Sequence, residues 1–509
     1  MSNGIQESNF RSPERADDSS LRATAAGWLR TKACFGATLV VITAAGGWFR
    51  FYQLGARNLW LDEAYSALFA HLPAGPFWKL MWSREGNMLL YYMLLRGWVL
   101  LGDSQILIRT PSVIFAVVSI PAIYLLGRAL FGRMTGLIAA TLLSVHMFHV
   151  FLSQQARSYT LLALLLLLST HLFLRFTQAP DRKSYLVAYA AVSALAMYAH
   201  SFALLVIASQ WLALGRARIQ RIGWQRLASA GALFLVLALP MVAFVLLKNK
   251  GQLDWVPPLS AHTLSDGMFA MTGYGNWPLL LLYVALAFMA LANRRNSDYE
   301  AFRLRLVELW VVFPLGVMLV YSLHKPILHS RFLLISVPGI ILLAAQGAAT
   351  IARRRPQLTW ISAALVLIMI GLAIRSTWSY LHRPICPDWK PATQMVVERA
   401  RPQDAICFAG NGAEVFLYYM QREKQMAWGS LPNVRYSQGA RCLGDSPQKI
   451  AEATSGFRRA WLLRTDATEE SYSWIFELLT ARFGPPSFQG SFGCPSGKIK
   501  VQLLAGKSK

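Results

Sequence analysis

Eleven apolar runs dominate this chain, at about 33–52, 106–127, 135–152, 159–174, 185–200, 202–215, 227–247, 278–292, 306–323, 331–351 and 358–378. A spanning helix needs ~20 apolar residues to cross ~30 Å of hydrocarbon, and these runs reach or approach that length. Composition agrees: 55% of the 509 residues are hydrophobic and 15% are charged, with a mean hydropathy of +0.38. Soluble domains rarely combine such values. The sequence therefore predicts a polytopic α-helical membrane protein of about 11 transmembrane helices.

The formal net charge of +25 would suit a nucleic-acid binder if it formed one patch. Instead the basic residues sit in short clusters between apolar runs, as in GRARIQRIGWQR, NRRNSDYEAFRLR and ARRRP. Cytoplasmic loops collect Lys and Arg in this way, so no nucleic-acid partner is expected. With the basic connections inside, the opposite set faces out: the 53–105 loop, SQQARSY, the 198–202 turn, the 248–277 loop, HKPILHSR and the tail. Eleven spans then put the N-terminus in the cytoplasm and the C-terminus outside, which in a bacterial inner membrane is the periplasm. The short run NMLLYYMLLRGWVLL (87–101) would invert every later loop if it crossed. It is read as an interfacial amphipathic helix within the first outer loop.

Three regions follow. Residues 1–31 are polar and are expected to form a disordered cytoplasmic N-terminus, followed by an uncleaved first span. Residues 32–379 form the membrane domain, with 53–105 as the first periplasmic loop. Residues 380–509 mix helix-like segments (PDWKPATQMVVERA, SYSWIFELLTARF) with strand-like ones (DAICFAG, RAWLLR, KIKVQLL), which predicts a small extracytoplasmic α/β domain with some parallel strands. Four of the five cysteines, Cys386, Cys407, Cys442 and Cys494, lie in this tail. On the oxidising side of a membrane at least one disulfide among them is expected, with the pairing open. The sequence holds no P-loop, dinucleotide fingerprint, GxSxG or HExxH motif. GNGAEVF (410–416) reads as an ordinary turn into a helix.

Charge near hydrocarbon is costly, and residues that bear the cost usually serve a site. On the outer face the candidates are the acids Asp62, Glu63 and Glu85 and the bases Arg157, His200, His324, Lys325, His329 and Arg331. Two arginines with a lysine and histidines suit an anion, and a phosphate at headgroup depth is the natural one, because guanidinium binds its oxygens bidentately. Asp62 can N-cap the helix EAYSALFAHL. It can also serve as a general base opposite a phosphate clamp, with Glu63 raising its basicity or binding acceptor or cation. Transfer from a phosphate-linked donor requires that pairing of acid and clamp. Tyr91, Tyr159, Glu85, His200 and His324 are expected to line the substrate. A lipid-linked sugar flippase or a polysaccharide polymerase would also want a basic phosphate site. A transporter, however, needs polar residues through the midplane, and here they gather on the outer face.

The segments NLWLDEAYSALFA, LLYYMLLRGWVLLGDSQILIRTPSVIFAVVSIPAIYLLGRALFGRMTGLIAATLL and FLSQQARSYTLLALL together resemble the polytopic C-type glycosyltransferases. The similar branch holds protein O-mannosyltransferases and lipid A aminoarabinose transferases. YAHSFALL, HSRFLLISVPGIILLAA and PDWKPATQMV keep the same order, so the resemblance covers roughly 35–400. It implies a sugar on a polyprenyl phosphate as donor, Asp62 as catalytic base, inversion at the anomeric carbon, and Arg157 and Arg331 facing the donor phosphate. His200 matches a frequent polar position. Two positions depart: Gln155 stands where relatives often have Glu, and GNMLLYY replaces a His-Pro-Pro-type segment. The second departure leaves the acceptor class open among lipid, protein and polysaccharide. No metal ligands are assigned and a divalent cation is left open.

Overall fold

The computed structural model describes residues 17–248, 251, 253–292, 297–383, 388–401, 404–410, 412–423, 450, 454–465, 469–494 and 497–505. Every one of the eleven apolar runs is helical. They are α1 (Asp17–Phe51), α5 (Gln105–Phe131), the bent pair α6 (Arg133–Ser144) and α7 (Met147–Ser153), α8 (Tyr159–Gln178), α9 (Lys183–Ala199), α10 (Ala203–Leu212), α12 (Trp224–Lys248), α14 (Asn276–Leu291), α15 (Asp298–Ser322), α16 (Val337–Arg354) and α17 (Thr359–Leu381). Among the described residues seven helices are long and apolar enough to cross a membrane. Nine result if two pairs bent by 59° and 67°, α6 with α7 and α13 (Ala261–Met271) with α14, each make one span. The helices α9 and α10, at 17 and 10 residues, fall short of that length. Proline lies inside α5, α12 and α15, as tertiary packing permits in spanning helices.

The window of α16 together with the 3₁₀ turn Ser330–Ser336 before it is entirely buried. Small residues explain its central place, since they let backbones approach closely. A methyl at Gly347 would lie 1.9 Å from the Leu286 carbonyl oxygen of α14. At the N-terminus α1 begins at Asp17, inside the stretch 1–31 that the sequence reading assigns to a polar N-terminal segment; an Ala-rich stretch with acids at its start favours helix there. Residues 1–16 lie outside the described residues.

The 53–105 loop is largely helical: α2 (Leu61–His71), α3 (Ala74–Leu80), a π turn at Met81–Glu85, a 3₁₀ turn at Gly86–Met88 and α4 (Leu89–Trp98). The helix α4 buries Tyr91, Tyr92 and Leu95 and leaves Met93 and Leu94 exposed, the two-faced pattern of an amphipathic helix. A short basic helix, α11 (Arg216–Ile222), leads into α12.

Beyond α17 the chain forms α18 (Trp389–Arg399), β1 (Asp404–Ala409), α19 (Ala413–Glu423), β2 (Arg459–Arg464), α20 (Glu469–Phe483), β3 (Pro486–Cys494) and β4 (Gly497–Ala505). The sheet order is β1-β2-β4-β3, with β1 and β2 parallel and the other pairs antiparallel. This is the small α/β unit that the sequence predicts. Trp461 on β2 is fully buried, and its ring N–H donates to Asp404 at 3.0 Å. Asp404 also pairs with Arg459 at 2.6 Å. Gly410 is left-handed (φ 103°) just before α19, the turn expected of GNGAEVF. Of the four cysteines, Cys407 is buried on β1, whereas Cys386, Cys442 and the Cys494 side chain lie outside the described residues.

Candidate active site

The helix α2 starts one residue before Asp62, so Trp60 and not Asp62 holds the N-cap position. Glu63 does the capping: its Oε2 accepts from the Trp60 N–H at 3.4 Å. Both Glu63 oxygens are then filled. Arg109, early in α5, donates through Nε and Nη2 at 2.8 and 2.7 Å, and the Ala156 N–H donates to Oε1 at 2.9 Å. The same guanidinium donates to the carbonyls of Leu54, Arg57 and Asn58 at 2.8–3.0 Å. Glu63 is 1% and Arg109 3% exposed. This corrects the expectation that Glu63 meets acceptor or cation. A buried carboxylate with four donors has no free oxygen. What it does is tie the 53–105 loop, α2, α5 and the turn between α7 and α8 to one another.

That tie sets the neighbours of Glu63. Asp62, one residue before, keeps its carboxylate 27% exposed. Arg157 follows the pinned Ala156 peptide. Asp62 Oδ2 lies 3.2 Å from Arg331 Nη1 and 3.9 Å from Arg157 Nη2. Arg331 stacks its guanidinium 4.1 Å above the Trp60 ring and 5.9 Å from that of Trp255. Arg157 donates through Nη1 to the Tyr92 hydroxyl at 3.0 Å, while its buried Nε has no hydrogen-bond partner. Burial pulls its pKa down, but Tyr92, Asp62, Tyr159 and Glu85 outweigh burial and hold it above the ordinary arginine range. One carboxylate and two permanently charged guanidinia thus face one another, leaving a net positive charge.

The remaining candidates divide. Glu85 stands within electrostatic reach of Arg157 and Asp62. Burial raises its carboxyl above the ordinary value of 4.5, while Arg157 and Arg84 work against that rise. Tyr159 is buried beside Arg157, whose charge it helps to hold. His329 does not supply the expected cation: burial first, then Arg331, push it down to about 4, and its Nδ1 accepts from the Arg331 N–H at 3.3 Å. His200 is likewise neutral, held at about 3 by burial and then Arg157. It faces Asn87 Nδ2 at 3.3 Å, and Asn87 Oδ1 accepts from the Ser201 N–H at 2.9 Å. Lys325 pairs with Asp254 at 3.1 Å on an exposed surface, and His324 is exposed beside it. Tyr91 and Tyr92 are both fully buried: Tyr91 bonds Ser112 at 2.9 Å, away from Asp62, whereas the Tyr92 hydroxyl accepts from Arg157. Gln155 is buried with its Oε1 lacking a hydrogen-bond partner.

Sequence reasoning missed Tyr92, Trp60, Arg109 and Asn87. Arg109 had a signal, being a charge inside an apolar run. Among the described residues no three His, Cys, Asp or Glu side chains gather as a metal site would need, and Asp62 faces guanidinia in place of further acids. That donor set does not fit a divalent cation.

Residues 87–246 match the family model described as dolichyl-phosphate-mannose-protein mannosyltransferase. No curated protein matches the sequence. Among solved structures, ArnT from Cupriavidus metallidurans in the apo state superposes with a TM-score of 0.57 at 12% identity, covering 95% of this chain and 100% of that one. The same protein bound to undecaprenyl phosphate gives 0.53 at 12% identity, with the same coverage. The Archaeoglobus fulgidus oligosaccharyltransferase in complex with Zn and sulfate gives 0.55 at 10% identity, covering 91% of this chain and 72% of that one.

Proposed function

From a fold that is that of the C-type membrane glycosyltransferases, we propose that this protein transfers a sugar from a polyprenyl-phosphate donor to an acceptor on the periplasmic face of a bacterial inner membrane. The observation that carries this reading is the Asp62 carboxylate set between the guanidinia of Arg331 and Arg157. It stands partly open at the end of the bundle that the charge pattern assigns to the outside.

In the reaction, Arg157 and Arg331 bind the donor phosphate oxygens and are drawn off Asp62, which frees the carboxylate. Asp62 takes the proton of the acceptor O–H or N–H. The released electron pair attacks the anomeric carbon from the face opposite the phosphate. The C–O bond to the phosphate breaks, its electrons go to the phosphate oxygen held by the arginines, and the configuration inverts. Polyprenyl phosphate leaves. The stack of Arg331 on Trp60 fixes one half of the clamp, and the Tyr92 hydroxyl steers the other. The undecaprenyl phosphate held by ArnT supports the donor class. The acceptor is a lipid, a protein or a polysaccharide.

Purified protein supplied with polyprenyl-phosphate sugars tests the base. Asp62→Asn keeps the shape of the side chain and removes its proton affinity. The rate is expected to fall by about 10²–10⁴, the usual worth of a general base. Full transfer by Asp62→Asn would end this assignment.

A further inference from the structure

At the other end of the bundle lies a second cluster of arginines that the transfer reaction leaves unused. The helix α15 has 25 residues, which at ~1.5 Å per residue separates its ends by about 37 Å. Its last residue, Ser322, takes the Ile327 and Leu328 N–H groups just before Arg331. Its first turn, Asp298–Ala301, therefore stands far from Asp62. There Tyr299 meets α11. The Arg218 guanidinium lies 4.9 Å from the Tyr299 ring centre and 4.6 Å from that of Phe302, and Arg303 lies 4.5 Å from the Tyr299 ring. Two cations thus share one aromatic ring.

Neither guanidinium is satisfied. Arg218 is only 8% exposed and its Nη1 is buried without a hydrogen-bond partner, as is Arg303 Nε. Buried donors without partners are rare because each costs the desolvation of a polar group. Burial lowers the pKa of Arg218, Arg221 lowers it further, and Tyr299 and Asp298 pull it back. The stretch 215–226 holds four arginines and no acid. Around this cluster the surface turns apolar: Trp224 is 75%, Leu212 53% and Ile219 39% exposed. An aromatic residue beside arginines on a short helix at the start of a long apolar one marks the headgroup level of a bilayer.

We infer that Arg218 and Arg303 form a binding site for the phosphate of an anionic membrane lipid in the leaflet opposite the active site, with Arg221 at its rim and Trp224 and Leu212 against the acyl chains. An oxygen of a phosphate diester satisfies the orphaned N–H groups with charge-assisted bonds. The apolar flank favours a lipid over a soluble phosphate, which would leave Trp224 bare. The site concerns a lipid that is neither donor nor acceptor, so it stands whether or not the transfer reaction does.

The full-length protein in nanodiscs of phosphatidylcholine, with and without phosphatidylglycerol, tests this. Native mass spectrometry of the released protein is expected to show one retained phosphatidylglycerol, and the melting temperature is expected to rise only when that lipid is present. Arg303→Gln and Arg221→Glu should each lower the retained fraction by about tenfold, the worth of a charge-assisted hydrogen bond. They should also remove the thermal shift. Arg218→Gln should do the same, and the two less buried variants keep the test valid if Arg218→Gln fails to fold. Unchanged retention and unchanged thermal shift in Arg303→Gln and Arg221→Glu would overturn the site. Equal stabilisation of the lipid-free protein by millimolar inorganic phosphate would overturn the lipid as its occupant.

Discussion

Adjacent acids can have opposite fates, and Asp62 and Glu63 show why. Consecutive helix residues point about 100° apart, so only one can face Arg331 and Arg157 while its neighbour turns inward to Arg109. The same geometry separates Tyr92, on Arg157, from Tyr91, on Ser112. The sequence reading expected costly polar residues to collect on one face, but a pair of equal letters does not say which member faces the site. Arg331 carries the residue-scale prediction for the clamp. Lysine would keep its charge but lose the planar fork and the stack on Trp60. Arg331→Lys should raise the donor KM about 10- to 100-fold, from the loss of one or two charge-assisted hydrogen bonds, with the acceptor KM nearly unmoved. Steady-state kinetics with each substrate varied in turn reads both values, and an unchanged donor KM removes Arg331 from the phosphate site.

Glu85 is expected to make donor binding depend on pH. Its carboxyl is raised, chiefly by burial, so the folded protein holds that proton over a window in which an unfolded chain would release it. Stability contributed by this group is present below 4.5 and falls as pH rises through the raised value. The same charge, once formed, subtracts from the field of Arg157 and weakens phosphate binding. Donor KM should therefore increase as pH rises through that window, and Glu85→Gln should flatten the step. The phosphodiester of the donor does not titrate there, so a step that persists in Glu85→Gln assigns it to another group.

At the scale of elements, the apolar runs were legible because each is a continuous stretch that only a helix can satisfy in hydrocarbon. The break between α6 and α7 was not. No Pro or Gly stands at Val145–His146 to announce it. It is held from afar by Arg50, which donates to the carbonyls of Ser144 and Leu143 at 2.8 and 3.0 Å and to His149 Nδ1 at 2.9 Å. Those carbonyls are the ones a helix end leaves open, and a cation 94 residues upstream closes them. No local pattern encodes such a contact. The packing of α16 on α14 is also a property of two elements, fixed by the absence of a single side chain at Gly347. Gly347→Ala would drive a methyl into the Leu286 carbonyl, and overpacking of that kind costs about 1–3 kcal/mol. Gly371→Ala in α17, where nothing lies within 4 Å of the new methyl, is the control. Thermal unfolding in one detergent should show Gly347→Ala melting lower and Gly371→Ala unchanged or slightly higher. Equal melting temperatures would mean that the close approach of α14 and α16 does not carry the bundle's stability.

Across the whole molecule, the C-terminal domain rests on the loop that carries the proposed base. The helix α19 places the Tyr419 hydroxyl where it accepts the Leu59 N–H at 2.8 Å, three residues before Asp62. Glu414 takes the Tyr65 hydroxyl at 3.0 Å, and Arg422 pairs with Asp103 at 2.6 Å. These contacts differ in worth. The Arg422–Asp103 pair is about one-third exposed on both sides, and such pairs contribute roughly 0–1 kcal/mol. The Leu59 N–H is buried, and a buried donor that loses its acceptor costs about 1–3 kcal/mol. Arg422→Ala should therefore keep kcat within about fivefold of the parent, the rate equivalent of that upper limit. Tyr419→Phe should lower kcat by about 5- to 150-fold if the whole cost is felt at the loop, because the peptide that leads into α2 is released. Donor KM should change less than kcat, since Arg157 and Arg331 are held from other elements. Stopped assays with saturating donor separate the two terms. Full kcat in Tyr419→Phe would show that the domain covers the loop without setting the position of Asp62.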